Sequence, residues 1–467
     1  MIAMAAEQRR LRIAIIGGGL TGLALAERLR ESGHAITVLE RDAQIGGLAT
    51  WHDYGEFEWD RFYHVILPSD GHLIGFIHDI GLGKSLHWRR TLTGVYVDRL
   101  FHSMSSGLDF LRFRPISLWG KIRLAATILY CARITDWRRL EQIKVAEWLY
   151  RLCGRATYEK IWRPLLLAKL GDNYERVSAV FIWSYIKRMF SARDPSTQKE
   201  QLGYVSGGYK TVFKRIQARM AEAGGSIRTG VRVLRIEPLE RGLVVYSDDG
   251  AHRFDKVIFT GPTSVLQAVA SKQLYRVEQP SGGQIEYLGV VCMVLVTERP
   301  LVPYYVVNIA DARVPFTGII GMSNLVSTEE TAGLHLTYLP KYVHSDDPLL
   351  RAADADLREL FEAGLRVMFP AYESIGVRAI HMNRAIKVQP LQTLNYSRSM
   401  PAVTTAHNDF FVLNTSQFAA NTLNNNAVIG SVDRFIQQHG SAFGAASDNI
   451  SSVLTATSIS HTEKAAW

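Results

Sequence analysis

Six residues near the N-terminus carry the most legible chemistry of this chain: Gly17, Gly19 and Gly22 in G-x-G-x-x-G spacing, Leu20 and Thr21 between them, and Glu40 eighteen residues beyond the last glycine. The four apolar residues 13–16 suit a short buried strand, a helix begins near Leu20, and a second strand over 35–39 ends at Glu40. Each residue type has a physical task. Gly17 permits the tight strand-to-helix turn, Gly19 lets backbone approach a pyrophosphate without a Cβ in the way, and Gly22 lets the helix lie against the strand. The first amides of the helix, at Leu20 and Thr21, point unpaired N–H groups and a positive dipole end at phosphate oxygens. Glu40 is placed to accept hydrogen bonds from a ribose. Strand, turn, helix, strand and acidic residue arrive in order within about thirty residues, which is the setting the motif requires. The expectation is a dinucleotide site.

The motif continues through Arg41 to a second glycine pair, Gly46 and Gly47, followed by Leu48 and Ala49. This resembles the E-[RK]-x(4)-GG-[RL] continuation of flavoproteins with two dinucleotide-binding domains, and the resemblance implies FAD rather than NAD. Further segments extend it. Val233 and Ile236 form a V-x-x-I strand. Asp255, Val257, Ile258, Thr260 and Pro262 form a D-x-V-I-x-T-x-P run, and 409–438 holds the position of a last FAD motif. Together they resemble the flavin amine oxidase superfamily, especially its protoporphyrinogen-oxidase-like and phytoene-desaturase-like branch. Trp162-Arg163-Pro164-Leu165-Leu166 and residues 338–342 also look like segments of bacterial FAD-dependent oxidoreductases. The resemblance implies that Val233 meets the adenine, that Thr260 and Pro262 close over the ADP half, and that Asn425, Asn426 and Ala427 open the last helix against the flavin. The usual Gly-Asp of the last motif is absent, and Asn414-Thr415 stands in its place.

The aromatic-rich loop 51–70 corresponds to the family segment that passes along one face of the isoalloxazine ring. Tyr63 and His64 are therefore the candidate neighbours of flavin N5. His64 in a D-x-x-x-H setting also resembles loops of UDP-galactopyranose mutases and carotenoid desaturases; the alternative is a packed loop histidine. Lys387, just before Gln389-Pro390, reads as a solvated or paired lysine. There is no Ser-His-Asp array, paired-carboxylate signal or metal-ligand spacing, so no metal is expected and flavin is the only catalyst the sequence names.

The elements that must position these residues give an α/β fold: a Rossmann-like FAD-binding domain, an α+β substrate domain, and a basic helical insertion. The FAD-binding domain is expected to be discontinuous, from 1–83, 203–263 and 401–438. The helical insertion spans 84–202, the substrate sheet and helix 264–400, and a Ser/Ala/Thr-rich disordered tail 439–467. A 467-residue chain with 47% hydrophobic residues can bury cores of this size. No secretory leader is read at the N-terminus, and the apolar runs 124–132 and 288–296 are too short to cross a membrane. Three scattered cysteines, Cys131, Cys153 and Cys292, exclude a disulfide framework and suit a cytoplasmic location.

Of the net charge of +9, residues 84–163 contribute sixteen Lys and Arg against six Asp and Glu, a balance of +10 that leaves about −1 for the rest. Within that region Phe110, Phe113, Ile116, Leu118, Trp119, Ile122 and Leu124 alternate with Arg112, Arg114, Lys121 and Arg123. A basic, amphipathic, Trp-containing helix through these residues suits peripheral contact with the inner membrane face. A solvated basic face and a docking surface for a phosphorylated or nucleotide-linked substrate are the alternatives. No nucleic-acid module accompanies the charge. The leading functional expectation is an FAD-dependent oxidase or desaturase taking hydride from a hydrophobic, lipid or isoprenoid-like substrate, with oxygen or a quinone as acceptor. The alternatives are a non-redox mutase acting on a sugar nucleotide or glycolipid, and a flavin carrier without turnover.

Overall fold

The computed structural model describes residues 9–190, 200–275 and 284–444. Two sheets organise them. The first has five parallel strands in the order Phe410–Val412, Lys256–Phe259, Arg12–Ile16, Ala35–Leu39, Ser226–Arg228. Its central strand, Arg12–Ile16, is buried at every position after Arg12, the continuous apolar run expected of a parallel strand covered on both faces. The helices Leu20–Leu29, Gly71–Asp79, Gly208–Glu222 and Asn425–His439 pack over one face. Charge ties them together at their rims. Arg28 pairs with Asp79 and Asp433, His72 Nδ1 lies 2.9 Å from Asp433, and Glu27 accepts from Arg30 and Arg219.

The second sheet has seven strands in the order Val377–Pro390, Tyr287–Thr297, His335–His344, Gly318–Gly321, Val306–Ile309, Thr93–Val97, Leu100–Ser103. Tyr287–Thr297 is buried along its whole length because its alternate residues enter two different cores. Val291, Met293 and Leu295 meet Phe361 and Leu365 of the helix Asp354–Met368, while Val290, Cys292, Val294 and Val296 meet Tyr54, Trp59 and Phe62 of the aromatic loop. The sheet is thus the wall on which that loop rests. Thr93–Val97 and Leu100–Ser103, read above as part of the helical insertion, instead form the edge of this sheet, with Thr93–Val97 pairing in parallel with Val306–Ile309.

The insertion itself gathers helices Leu118–Arg133, Val145–Cys153, Arg163–Leu170 and Ala179–Phe190 around a third core. Two corrections belong here. The stretch 107–133 is not one amphipathic helix. Ser106 and Ser117 each cap a separate helix, Gly107–Arg112 and Leu118–Arg133, with Pro115 between them. Its apolar residues also split: Phe113, Ile116 and Leu124 are buried, whereas Leu118, Trp119 and Ile122 face outward. Residues 439–444, expected in a disordered tail, are ordered. Residues 440–443 form a short 3₁₀ turn whose Phe443 packs fully buried on Phe411 and Phe435. The remainder of that tail, 445–467, lies outside the described residues, as do 191–199 of the insertion.

Candidate cofactor and substrate site

At the end of strand Arg12–Ile16 the turn closes as its glycines require. Gly17 has φ +111° and donates its N–H to Leu39 O at 2.9 Å. A Cβ on Gly22 would lie 1.9 Å from Gly17 O, so only glycine lets the helix start this close to the strand. Helix Leu20–Leu29 begins at Gly19 with no side-chain cap and no acidic residue in its first turn. The amides of Leu20, Thr21 and Gly22 therefore keep the positive end of the helix open to an anion. The second glycine pair is attached to the first: Gly46 N–H donates to Gly18 O at 2.8 Å, and a Cβ on Gly47 would come within 3.2 Å of Gly19 Cα. Leu48 and Ala49 complete the short turn Gly47–Ala49. Thr260 Oγ1 donates to Ile16 O at 3.0 Å from the sheet side, and Pro262 precedes helix Thr263–Val269.

Several sequence-predicted contacts take a different form. Both oxygens of the Glu40 carboxylate already accept backbone amides, Oε2 from Gly18 at 2.6 Å and Oε1 from Asp42 at 2.9 Å. Glu40 therefore holds the turn, and its remaining lone pairs are what a ribose would meet. Arg41 reaches outward to Asp42. Asn414 is consumed by structure: its Oδ1 accepts from Ser416 N at 3.0 Å and its Nδ2 donates to Gly261 O at 2.9 Å, with Thr415 next to it in the turn Thr415–Gln417. Asn424 caps the last helix by accepting from Ala427 N at 2.9 Å, so the Ala427 amide is engaged and the Asn425 and Asn426 amides lead. Asn426 Oδ1 accepts from Leu73 N, fixing helix Gly71–Asp79 to this end. Val233 opens the strand Val233–Pro238, and two residues before it Val231 N–H donates to Glu40 O at 2.9 Å. The structure thus assembles the N-terminal turn, Thr260 and Pro262, Asn414 and the Val233 strand around one another, as an elongated dinucleotide needs.

The second half of the site is the loop after Trp59. Asp60 is almost fully buried, and its Oδ1 accepts from Tyr209 N at 2.8 Å, where helix Gly208–Glu222 offers its positive end. His64 Nδ1 stands 3.6 Å from Asp60 Oδ2, too far for a hydrogen bond, and its ring packs edge-on against Tyr209. Its Nδ1 is buried without a hydrogen-bond partner among the described residues. Tyr63 points to the sheet, where its hydroxyl meets that of Tyr342 at 2.8 Å. Burial raises the pKa of both phenols above the ordinary value, so both are neutral hydrogen-bonding groups. Tyr342 and Tyr338, four residues apart on His335–His344, share one face of the strand. Lys387 donates to Ser264 Oγ away from this cluster.

One residue was missed. Lys169, near the end of helix Arg163–Leu170, places Nζ 3.0 Å from the ring centroid of Tyr342. It makes no hydrogen bond or ion pair among the described residues, and burial lowers its pKa to about 7. The available signal was a lone charge inside the apolar run Leu165–Leu170, next to the buried Leu166 and Leu170.

A five-stranded parallel sheet with a glycine cradle, joined to a seven-stranded sheet that carries the aromatic loop, defines an FAD-binding α/β fold of the two-dinucleotide-binding-domain type. The model of the flavin-containing amine oxidoreductase family matches residues 20–377, and the chain belongs to that family. Its cofactor is FAD, which the open helix terminus and the glycine cradle fit. Among curated relatives, the flavin-dependent L-tryptophan oxidase RebO of Lentzea aerocolonigenes is 33% identical over 296 residues, covering 55% of this chain and 59% of its own. A probable zeta-carotene desaturase of Synechococcus elongatus is 23% identical over 290 residues, covering 55% and 59%. The matched region thus spans 59% of each relative's length. A solved oxidoreductase of Methanosarcina mazei shares the fold, with TM-score 0.70 at 20% identity over 91% of this chain and 100% of that one.

Proposed function

We propose that this chain is an FAD-dependent oxidoreductase that takes hydride from a hydrophobic, lipid or isoprenoid-like substrate gathered at a membrane surface, with oxygen or a quinone as the final acceptor. Bound FAD would supply hydride acceptance at N5. The chain's own part is to hold the dinucleotide on the Gly17–Gly22 and Gly46–Gly47 turns and to present Tyr63 and Tyr342 to the substrate. The relatives named above include one named for zeta-carotene, a hydrocarbon, which supports the substrate class.

One observation carries the membrane part. Leu118 and Trp119 are each 67% exposed at the start of Leu118–Arg133, and Ile122 on the same helix and Leu108 and Leu111 on the helix before it are exposed as well. Large exposed apolar side chains interleaved with basic residues are what an interfacial contact requires. The basic set is smaller than the sequence suggested. Lys121 Nζ donates to Leu111 O, and Arg123 donates to Leu152 O and Arg151 O, so both stabilise the fold. Arg112 and Arg114 remain for lipid headgroups. No helix among the described residues is long and apolar enough to cross a membrane, which fits contact from one side. The mutase alternative drew on His64; the oxidase and desaturase relatives support the redox reading.

Co-sedimentation with anionic lipid vesicles tests the surface. The double variant Leu118→Glu/Trp119→Glu should lose binding, and Arg112→Glu/Arg114→Glu should weaken it and make it insensitive to salt. Unchanged binding by the first variant would remove the membrane from the proposal. Anaerobic addition of a hydrophobic substrate without another reductant should bleach the visible absorbance of bound flavin. Turnover only after chemical prereduction would favour the mutase.

A further inference from the structure

We infer that Lys169 is the recognition residue for an anionic oxygen, a carboxylate or phosphate, carried at one end of the substrate. The inference rests on the reading above that the Tyr63–Tyr342 region is the substrate site.

Its ground is an ammonium group with no counter-charge among the described residues. The group lies over the face of Tyr342, a cation–π contact that occupies one side of it and leaves its other N–H bonds unmatched. The neighbours are accounted for. On its own helix Arg163 pairs with Glu159, and Thr317 Oγ1 donates to Ala168 O. In the following turn Asp172, Tyr174 and Glu175 exert no resolved influence on Lys169. On the strand beneath, Lys341 donates to Pro315 O and His344 meets Glu286, both away from it. From the loop and from helix Ala179–Phe190 come the phenols Tyr63 and Tyr185, with the Arg188 guanidinium near enough to act on Tyr185. Desolvation alone therefore shifts the lysine.

Yet this is not a sealed interior. Lys169 is only partly buried, its Nζ is not among the closed-off polar atoms, and Tyr185 keeps 44% of its surface accessible although burial raises its phenol. The ammonium is therefore within reach of a ligand arriving from solvent. A buried charge without a partner is costly, and a ligand bringing the opposite charge relieves that cost on binding. A neutral hydrocarbon end would leave the ammonium unmatched, so the geometry selects a substrate whose apolar body ends in an anionic head.

Calorimetric titration of the holoprotein with octanoate and with 1-octanol tests this. Octanoate should bind and the alcohol should bind about tenfold or more weakly, the difference a charge-assisted hydrogen bond makes. Lys169→Met should erase the preference and Lys169→Arg should retain it. Because an anion restores the proton to Lys169, binding at about pH 8 should take up a proton, and uptake should vanish at about pH 6, where the lysine is already charged. Equal binding of the two probes, no binding of octanoate, or uptake unchanged in Lys169→Met would overturn the inference. Flavin content, read on the same samples, is separate: loss of flavin speaks against the cofactor reading, whereas a flavin-loaded protein indifferent to octanoate speaks only against Lys169.

Discussion

Gly22 shows how much a single position can demand. A methyl group there would sit 1.9 Å from a backbone oxygen that cannot move without opening the turn, so Gly22→Ala should cost about 2 kcal/mol or more of stability and abolish flavin retention on gel filtration. Gly71→Ala is the matched control. Nothing lies within 4 Å of its added Cβ, and its melting temperature and flavin content should stay unchanged. Glycines of this kind are legible in a sequence because the constraint is local: the turn and the residue that permits it lie within a few positions. Asn414 and Ala427 were harder to read because their partners decide their roles. The Asn414 amide is spoken for by Gly261, 153 residues away, and the Ala427 amide by its own cap. Lys169 showed in the sequence only as a lone charge in an apolar run; its setting was hidden for the same reason, since the Tyr342 ring beneath it comes from another element.

At the scale of elements, helix Ala179–Phe190 and helix Gly71–Asp79 meet through one ion pair. Arg188 donates from both terminal nitrogens to Asp70, at 2.7 and 3.0 Å, and the Asp70 side chain is 1% exposed and also accepts from Leu67 N. Asp70→Asn removes the buried carboxylate charge that both Arg188 nitrogens and the Leu67 amide bond, so it should destabilise the protein by about 2 kcal/mol in urea unfolding. A loss below a few tenths of that would mean that the insertion is held by its apolar contacts alone. Element types followed from periodicity wherever one face was buried, as in Gly208–Glu222. They failed where burial had a second source. Residues 335–344 and 377–390 form the long strands flanking Tyr287–Thr297, but their alternating apolar and polar residues did not reveal that register. The 107–133 stretch misled because an apolar residue facing outward and one facing a core have the same letter.

For the molecule as a whole, pH provides a probe. Burial holds His34, His52, His102, His335 and His381 below the ordinary imidazole value of 6.5. The unfolded chain therefore binds protons that the folded chain refuses, and stability is fully present above about pH 6.5 and is lost as pH falls. His52 Nε2 and His381 Nδ1 lie 3.1 Å apart, so charging both would also set two cations together. Melting temperature should drop between about pH 7 and pH 5, and His52→Gln should flatten part of that slope; a flat profile would show that these imidazoles protonate without disturbing the fold. The sequence motifs located the cofactor half of the molecule because glycine spacing survives translation into structure. The proposed substrate site is a meeting of side chains from 63, 169, 185 and 342, and no local pattern records such a meeting.

The parallel sheet has one more consequence, which concerns time rather than space. Its edge strand Phe410–Val412 pairs with Lys256–Phe259, which pairs in turn with Arg12–Ile16. A ribosome makes the cradle strand first and that edge strand roughly four hundred residues later. Until then Lys256–Phe259 offers an open row of amides and carbonyls to any passing strand. Synthesis of this protein is therefore a long wait with an unfinished edge, and conditions that slow elongation late in the chain should increase aggregation more than those that slow it early.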